Sequence, residues 1–290
     1  MNGRTLSRRR LLAATGTSVV VGLAGCLKPN NSDGGTDGGG GDGYAPETVT
    51  DAGTNTTTNA STETTTSGDV PAEPTAAAVN GYQSKLESGV EVPLAPIDHV
   101  YKWYQNRAIR VVDARGAKQY GKSHIAGAVH SPAEDGKSNN DPAEQWPKDA
   151  WIVTYCACPH HLSSMRAASL INQGYEHVMA LDEGYLEWQE RNYPLEGSDV
   201  DQQANVRTII GETAAKFAGE KAWAFHRDSG QKEVTDIDQD GSYKLDLPFY
   251  DVTDDSLIEI ETPAYTVEKP LGELTTGTLT TSGTLRVGTR

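Results

Sequence analysis

Two cysteines, Cys156 and Cys158, stand with a proline and two histidines in the run Cys156-Ala157-Cys158-Pro159-His160-His161. The thiolate, not the thiol, is the nucleophile and the metal ligand, so what this run can do depends on what stabilises negative charge on sulfur. Two chemistries fit the spacing. In the first, one thiolate takes up a group covalently, and a cysteine two residues away can resolve a persulfide or sulfenic acid on its neighbour. In the second, two soft and two borderline ligands offer themselves to copper(I) or zinc. Four ligands within six residues close one tetrahedron only with strain, so no metal is expected here. A disulfide between Cys156 and Cys158 would be strained as well, since residues so close reach the preferred dihedral poorly. The third cysteine of the chain is Cys26, far upstream, so no disulfide framework is expected.

The elements that position this run are legible on either side of it. Residues 151–155 (WIVTY) have strong β propensity and predict a strand that ends at Cys156. Residues 163–173 predict a helix with Met165, Ala168, Leu170 and Ile171 on its apolar face, stopped by Gly174. Cys156 then lies at the carboxyl end of a strand, before a loop that enters a helix N-terminus, where free N–H groups favour an anion. Around this centre, residues 96–104 predict a helix with Val100, Trp103 and Tyr104 inward, and 108–112 (AIRVV) a strand. Residues 177–181 (HVMAL) predict another strand and 184–191 a short helix containing Leu186 and Trp188. Strands alternating with helices between about 93 and 197 predict an α/β domain with a mostly parallel sheet.

Several segments, taken in order, resemble the rhodanese family. Val111-Val112-Asp113-Ala114-Arg115 is similar to the opening strand and Asp-x-Arg of rhodanese domains. Residues 121–130 (GKSHIAGAVH) resemble their GHIPGA segment, and Ile152 to Cys156 the strand that delivers the nucleophile. Residues 174–178 and 181–184, followed by Trp188, resemble the closing strand and helix. The resemblance covers about a hundred of the 290 residues. It implies the rhodanese fold, a persulfide-carrying cysteine, a small sulfur donor such as thiosulfate, a thiol or cyanide acceptor, and no cofactor.

The match departs from the family in the loop itself. Aligned by the strand, Cys156 is the nucleophile and the loop is about two residues longer than usual. Aligned by the helix, Cys158 takes that place, with Ser163 and Ser164 in the closing positions. Cys156 is favoured, because it lies directly at the strand end and Pro159 removes an N–H that a loop centred on Cys158 would want. No arginine stands at the family's spacing. Arg166 is the nearest and a candidate for an anionic donor, with His160 and His161 as further sources of charge or donors for sulfur oxyanions. Asp113 and Arg115 are expected to tie their loop to the sheet. His124 and Ile125 are expected to pack the neighbouring turn, Met165 and Trp188 to fill the core, and Glu183, where the family often has glycine, to narrow the donor entrance.

The flanking regions have other textures. Ser7-Arg8-Arg9-Arg10-Leu11-Leu12 and an apolar run to Ala24 form an export pattern whose paired arginines resemble a twin-arginine signal. The run is short of the ~20 residues that span a bilayer. Leu23-Ala24-Gly25-Cys26 resembles a lipobox, with Cys26 as the lipid-bearing residue of an exported, membrane-anchored protein. Residues 27–80, rich in Gly, Thr, Asp and Ser, read as a disordered tether, with Asn30, Asn55 and Asn59 each opening a glycosylation triplet. The net charge of -15 and the pI near 4.8 argue against nucleic acid and anionic lipid as partners, and suit a halophilic, haloarchaeal source. Within 206–219 a helical stretch is expected. Residues 222–225, 242–247, 256–261 and 265–268 predict antiparallel strands of a small β-sandwich spanning about 205–275, with 276–290 as a tail that is either a strand pair or frayed. Residues 236–241 open like a calcium loop, but Leu247 stands where the twelfth-position glutamate should be, so a turn between strands is expected.

Overall fold

The computed structural model describes residues 70–287. The signal, the lipobox with Cys26 and the tether up to residue 69 lie outside the described residues. Residues 70–80, read from the sequence as the end of the tether, are folded. A short helix, α1 (Ala76–Val79), is capped by Thr75. The chain before it is held on the domain by Trp103 Nε1, which donates to the Pro71 carbonyl at 3.0 Å, and by Asn106, which donates to that of Ala72 at 2.7 Å. These anchors come from side chains distant in sequence, which local composition cannot show.

A hairpin follows, β1 (Ser84–Glu87) and β2 (Val90–Ala95), then α2 (Ile97–Gln105), β3 (Arg110–Asp113), α3 (Ala117–Lys122), β4 (His124–Ile125) and β5 (Val129–His130). The centre of the domain is β6 (Trp151–Tyr155), α4 (Leu162–Asn172), β7 (His177–Leu181), α5 (Gly184–Glu190) and β8 (Leu195–Glu196). The main sheet runs β1-β2-β7-β6-β3-β5. β1 is antiparallel to β2, and the other neighbours pair in parallel. The sheet is therefore mixed rather than simply parallel, because the hairpin adds an antiparallel edge that the sequence reading did not contain.

Both faces of the sheet are covered. Val111, Val153 and Met179 pack under α2 and α5, against Trp103, Tyr104 and Trp188. Val112, Ile152, Val178 and Ala180 pack under α4, against Ala167, Ala168 and Leu170. Strands buried on both faces read as unbroken apolar runs. That is why residues 151–155 and 177–181 were readable from sequence with the bounds they have here.

The remainder is β-rich: β9 (Arg207–Glu212), β10 (Lys221–His226), β11 (Gln231–Asp236), β12 (Ser242–Leu247), β13 (Leu257–Glu261), β14 (Thr266–Pro270), the short α6 (Leu271–Leu274), β15 (Gly277–Leu279) and β16 (Leu285–Val287). Two four-stranded sheets form, β11-β10-β13-β14 and β12-β9-β15-β16. They share one core to which Ala222, Ala224, Ile258 and Ile260 contribute from one sheet and Ile209, Tyr243, Leu245 and Leu279 from the other. One reading is corrected. The helix expected within 206–219 is β9 followed by a 3-10 turn at Ala215–Phe217. Thr208, Ile209 and Ile210 are β-branched, and a Cβ at Gly211 would lie 2.2 Å from the Tyr243 ring, so this position requires a strand with no side chain. The tail from 276 contains β15 and β16, which pair with each other as the strand-pair reading expects, and β15 runs parallel to β9. Residues 236–241 form the turn between β11 and β12, closed by Gly241 N–H on the Asp238 carbonyl at 2.9 Å.

Candidate active site

β6 ends at Tyr155 and the chain turns inward, leaving Cys156 with no solvent exposure. α4 begins six residues later with His161 at its N-cap. The first N–H groups of a helix lack helical partners and carry the positive end of its dipole. Here the N–H groups of His161 and Ser163 are directed at Cys156 Sγ. Sγ also lies 3.3 Å from Ser163 Oγ and donates to the Cys158 carbonyl at 2.9 Å. The loop is held from the other side by α5. Tyr185 N–H donates to the Cys156 carbonyl at 2.8 Å and Leu186 N–H to that of Ala157 at 3.2 Å. Gly184 makes this approach possible: its φ is +80°, and a Cβ there would sit 2.9 Å from the Ala157 oxygen. His160, at φ +38°, takes up the turn that the longer loop needs.

The cradle is built for an anion but holds a neutral thiol. Burial first and Glu233 second push Cys156 up to about 11, against the pull of Ser163 and His161. Cys158 is raised well above the ordinary thiol range by burial, then by Glu233, Cys156 and Asp246; its Sγ faces the Asp246 carbonyl of β12 at 3.9 Å. Burial, helped by Lys85, pushes His161 down to about 4, so its ring is neutral at pH 7. His160 is also lowered by burial, and its Nε2 meets Asp182 Oδ1 at 3.1 Å.

A profile of the rhodanese-like domain family matches residues 97–191. A thiosulfate sulfurtransferase GlpE of Vibrio cholerae is 30% identical over 95 residues, 32% of this chain and 85% of that protein. A GlpE of Pseudomonas fluorescens strain SBW25 is 34% identical over 109 residues, 37% of this chain and 94% of that protein. The chain belongs to the rhodanese-like family. Among solved structures, the rhodanese-like domain of an Anabaena protein is 25% identical, with 39% of this chain and 85% of that chain covered and a TM-score of 0.34.

Within the rhodanese-like half, the loop residues named from the sequence part company. Cys156, His161 and Ser163 converge. Ser164 is buried in the same first turn of α4, its Oγ without a hydrogen-bond partner among the described residues. Arg166 does not reach the cradle. It is fully buried, its Nε donating to Ser131 Oγ at 2.7 Å and its Nη2 lying 3.4 Å from Asp141 and 3.3 Å from Glu144. The reading of Arg166 as a donor ligand is corrected: an arginine one turn into the helix falls on the side that packs against residues 131–144. Cys156 turns toward α4, Cys158 toward β12 and His160 toward Asp182. Among the described residues no group of three or more His, Cys, Asp or Glu side chains converges.

Asp113 and Arg115 form a closed buried pair. Asp113 Oδ1 accepts from Arg115 N and Nε, and Oδ2 accepts from Arg115 Nη2 at 2.6 Å and from Tyr155 at 2.7 Å. Arg115 also donates to the Ser123 carbonyl at 2.7 Å. His124 stacks on Tyr120 at 3.9 Å, while Ile125 and Trp188 are fully buried. Met165 is only partly buried and packs against the cluster around Cys156. Glu183 accepts the Ile97 N–H at 2.8 Å and so caps α2.

The C-terminal sheets supply residues that the sequence reading missed. Val234 of β11 packs in one cluster with Cys156, Leu162, Ala114 and Ala133. Lys221 of β10 binds Glu87 at 2.6 Å and Asp236 at 2.7 Å, and Asp236 also binds Lys85 at 2.7 Å, so that β1, β10 and β11 are clamped together. An open cleft of about 500 Å³ lies at the other end of the β10–β11 hairpin, lined by Gly116, His130, Ala133, Phe225 and Lys232 among others. β11 itself (QKEVTD) was not read as a strand, because its charged composition resembles a solvated turn.

Proposed function

We propose that the protein is a sulfurtransferase that carries sulfane sulfur as a persulfide on Cys156. The observation that carries this reading is Cys156 Sγ at the end of β6, faced by the His161 and Ser163 N–H groups at the start of α4. In the forward step the Cys156 thiolate attacks the outer sulfur of thiosulfate. The new S–S bond forms as the bond to the sulfonate sulfur breaks, and sulfite leaves with the electron pair. Cyanide or a thiolate then attacks the outer sulfur of the persulfide and the Cys156 thiolate departs. The thiol proton must leave before the first step, and the helix-end N–H groups stabilise the charge that remains. Ser163 and His161 line the sulfur, Cys158 is a bystander or resolving thiol, and Asp113 with Arg115 hold the loop. Export by a twin-arginine signal and lipid attachment at Cys26 are part of this proposal, resting on the sequence pattern alone.

Thiocyanate formation from thiosulfate and cyanide in high salt tests the reading. Turnover is expected for the wild type and for Cys158→Ser and is lost for Cys156→Ser, and mass spectrometry is expected to find one added sulfur on Cys156. Loss with Cys158→Ser and retention with Cys156→Ser would reverse the assignment. A second reading, a sulfur carrier or interaction module without turnover, is favoured by one observation: Cys156 is 0% exposed. Persulfidation of Cys156 with no acceptor able to discharge it would select that reading.

A further inference from the structure

Arg166 turns away from the cysteine loop, so an anionic donor needs another cation. Several cations of the elements around the loop are taken: Lys85 of β1, Arg115, Lys221 of β10 and Lys244 of β12 lie 2.7, 2.6, 2.6 and 2.6 Å from a carboxylate. Lys232 of β11 differs. Among the described residues it forms no ion pair, and its ammonium donates instead to the Ala133 carbonyl, 5.6 Å from the centre of the Trp223 ring. Burial works against its charge, while Glu134, Glu233 and Asp135 favour it without pairing with it.

Two independent paths place Lys232 beside Cys156. Along β11, Lys232 and Val234 are alternate residues on one face, opposite Phe225 and Trp223 of β10, and Val234 and Trp223 pack in the cluster that holds Cys156. Across the sheet, Ala114 N–H donates to the Tyr155 carbonyl at 2.9 Å and Ala133 N–H to that of Ala114 at 2.9 Å. Ala133, whose carbonyl Lys232 holds, therefore lies two strand spacings, roughly 10 Å, from the end of β6. Lys232 also lines the cleft at the turn of the hairpin, and Ala133 belongs both to that cleft and to the cluster around Cys156. Among the described residues no Asp or Glu lines the cleft, in a chain whose net charge is -15. Arg227, the other cation there, is paired with Glu259 and Glu261.

We propose that this cleft is the entrance for the anionic sulfur donor, and that Lys232, supplied by the C-terminal sheets, is the cation that receives it. The inference rests on the sulfurtransferase reading for the identity of the donor, and one arm of its test does not. An anionic oxygen is a stronger partner for an ammonium than a neutral carbonyl. A thiosulfate ion entering the cleft therefore draws Lys232 from the Ala133 carbonyl. That exchange releases Ala133 from the hairpin at the wall in front of Cys156, and the flexible four-carbon stem lets the ammonium follow the ion inward. Lys232 thus takes the role that spacing alone gave to Arg166. A neutral electrophile of the same size gains nothing from it, so the accessory sheets select the charge of what reaches the sulfur.

The test compares two alkylating agents of similar size on the full-length chain: iodoacetate, an anion, and iodoacetamide, which is neutral. Mass spectrometry reads both rates at Cys156 at one pH and ionic strength. Lys232→Gln, whose amide keeps a donor for the Ala133 carbonyl, is expected to slow iodoacetate about three- to tenfold relative to iodoacetamide, and Lys232→Arg to retain the wild-type ratio. With thiosulfate and cyanide, Lys232→Gln is expected to raise the KM for thiosulfate about tenfold and to leave kcat nearly unchanged. An iodoacetate-to-iodoacetamide ratio that is the same in wild type and Lys232→Gln overturns the proposal, whether or not thiosulfate is turned over. A changed ratio with no turnover of any donor by the wild type would instead overturn the enzymatic reading and leave the entrance standing. Should Lys232→Gln not fold, the wild type decides: thiosulfate is expected to shield Lys232 from acetylation by N-hydroxysuccinimidyl acetate, and acetylation at an undiminished rate refutes the proposal.

Discussion

Asp113 in the rhodanese-like half and Glu233 in the C-terminal sheets are both cut off from solvent, at 0% and 2% exposure, yet their surroundings are opposite. Asp113 accepts hydrogen bonds at both oxygens, from Arg115 and Tyr155, and that pair joins β3 to β6. Burial disfavours the Arg115 charge, but Asp113 and the nearby Tyr155 more than offset it. Glu233 has an oxygen without a hydrogen-bond partner among the described residues. A buried charge that is fully paired organises a loop and stays ionised. A buried carboxyl left unpaired keeps its proton and remains able to titrate. The first kind of site is architecture, and the second is available for chemistry.

Three measurements bear on that contrast. The largest effect is expected at Glu233 and depends on pH. In the unfolded chain its carboxyl ionises near 4.5 and in the fold near 8, so its contribution to stability is fully present below 4.5 and is lost as pH rises through 8. Glu233→Gln does not lose it, so denaturant midpoints are expected to favour the variant increasingly over this window, by up to about 5 kcal/mol at its alkaline end. A difference that does not change with pH would place Glu233 in the same class as Asp113.

Asp113→Asn provides the complement. It leaves Arg115 buried beside a neutral amide and is expected to cost about 3 to 5 kcal/mol, with little change between pH 5 and 9. Urea unfolding at several pH values checks this, and a strong pH dependence would erase the distinction between the two regions. The smallest effect is expected at the clamp. Lys221 and Asp236 are partly exposed, at 23% and 38%, so Lys221→Ala is expected to cost about 1 kcal/mol or less. Its signature is kinetic: by loosening β11 over the loop, it should speed alkylation of Cys156 by iodoacetamide several-fold. An unchanged rate would show that access to Cys156 does not pass through movement of the C-terminal sheets.

The sequence made the rhodanese-like half legible for a physical reason. Its central strands are covered on both faces, so residues 151–155 and 177–181 are apolar except for Thr154 and His177. The helix start after Cys156 and the Asp113-Ala114-Arg115 motif are likewise local features, written in consecutive residues. The loop was harder. Strand and helix alignments disagreed over Cys156 and Cys158, and the spacing alone gave Arg166 a place near the donor. The fold answers the second by turning Arg166 toward Ser131 and Asp141, and it sets Ser163 Oγ 3.3 Å from Cys156 Sγ.

By itself the sequence determined the α/β frame, the strand that carries the cysteine and the helix that follows, because these depend on apolar periodicity and on neighbours within a few residues. Only the tertiary structure decided that residues 70–80 are folded, that β9 is a strand, and that the charged run Gln231–Asp236 is a strand buried against the sulfur site. Side chains such as Glu233, Lys221 and Asp236 look solvated in a one-dimensional reading. Their burial comes from partners more than a hundred residues away in places, such as Glu87 for Lys221, and no local pattern encodes a contact of that range.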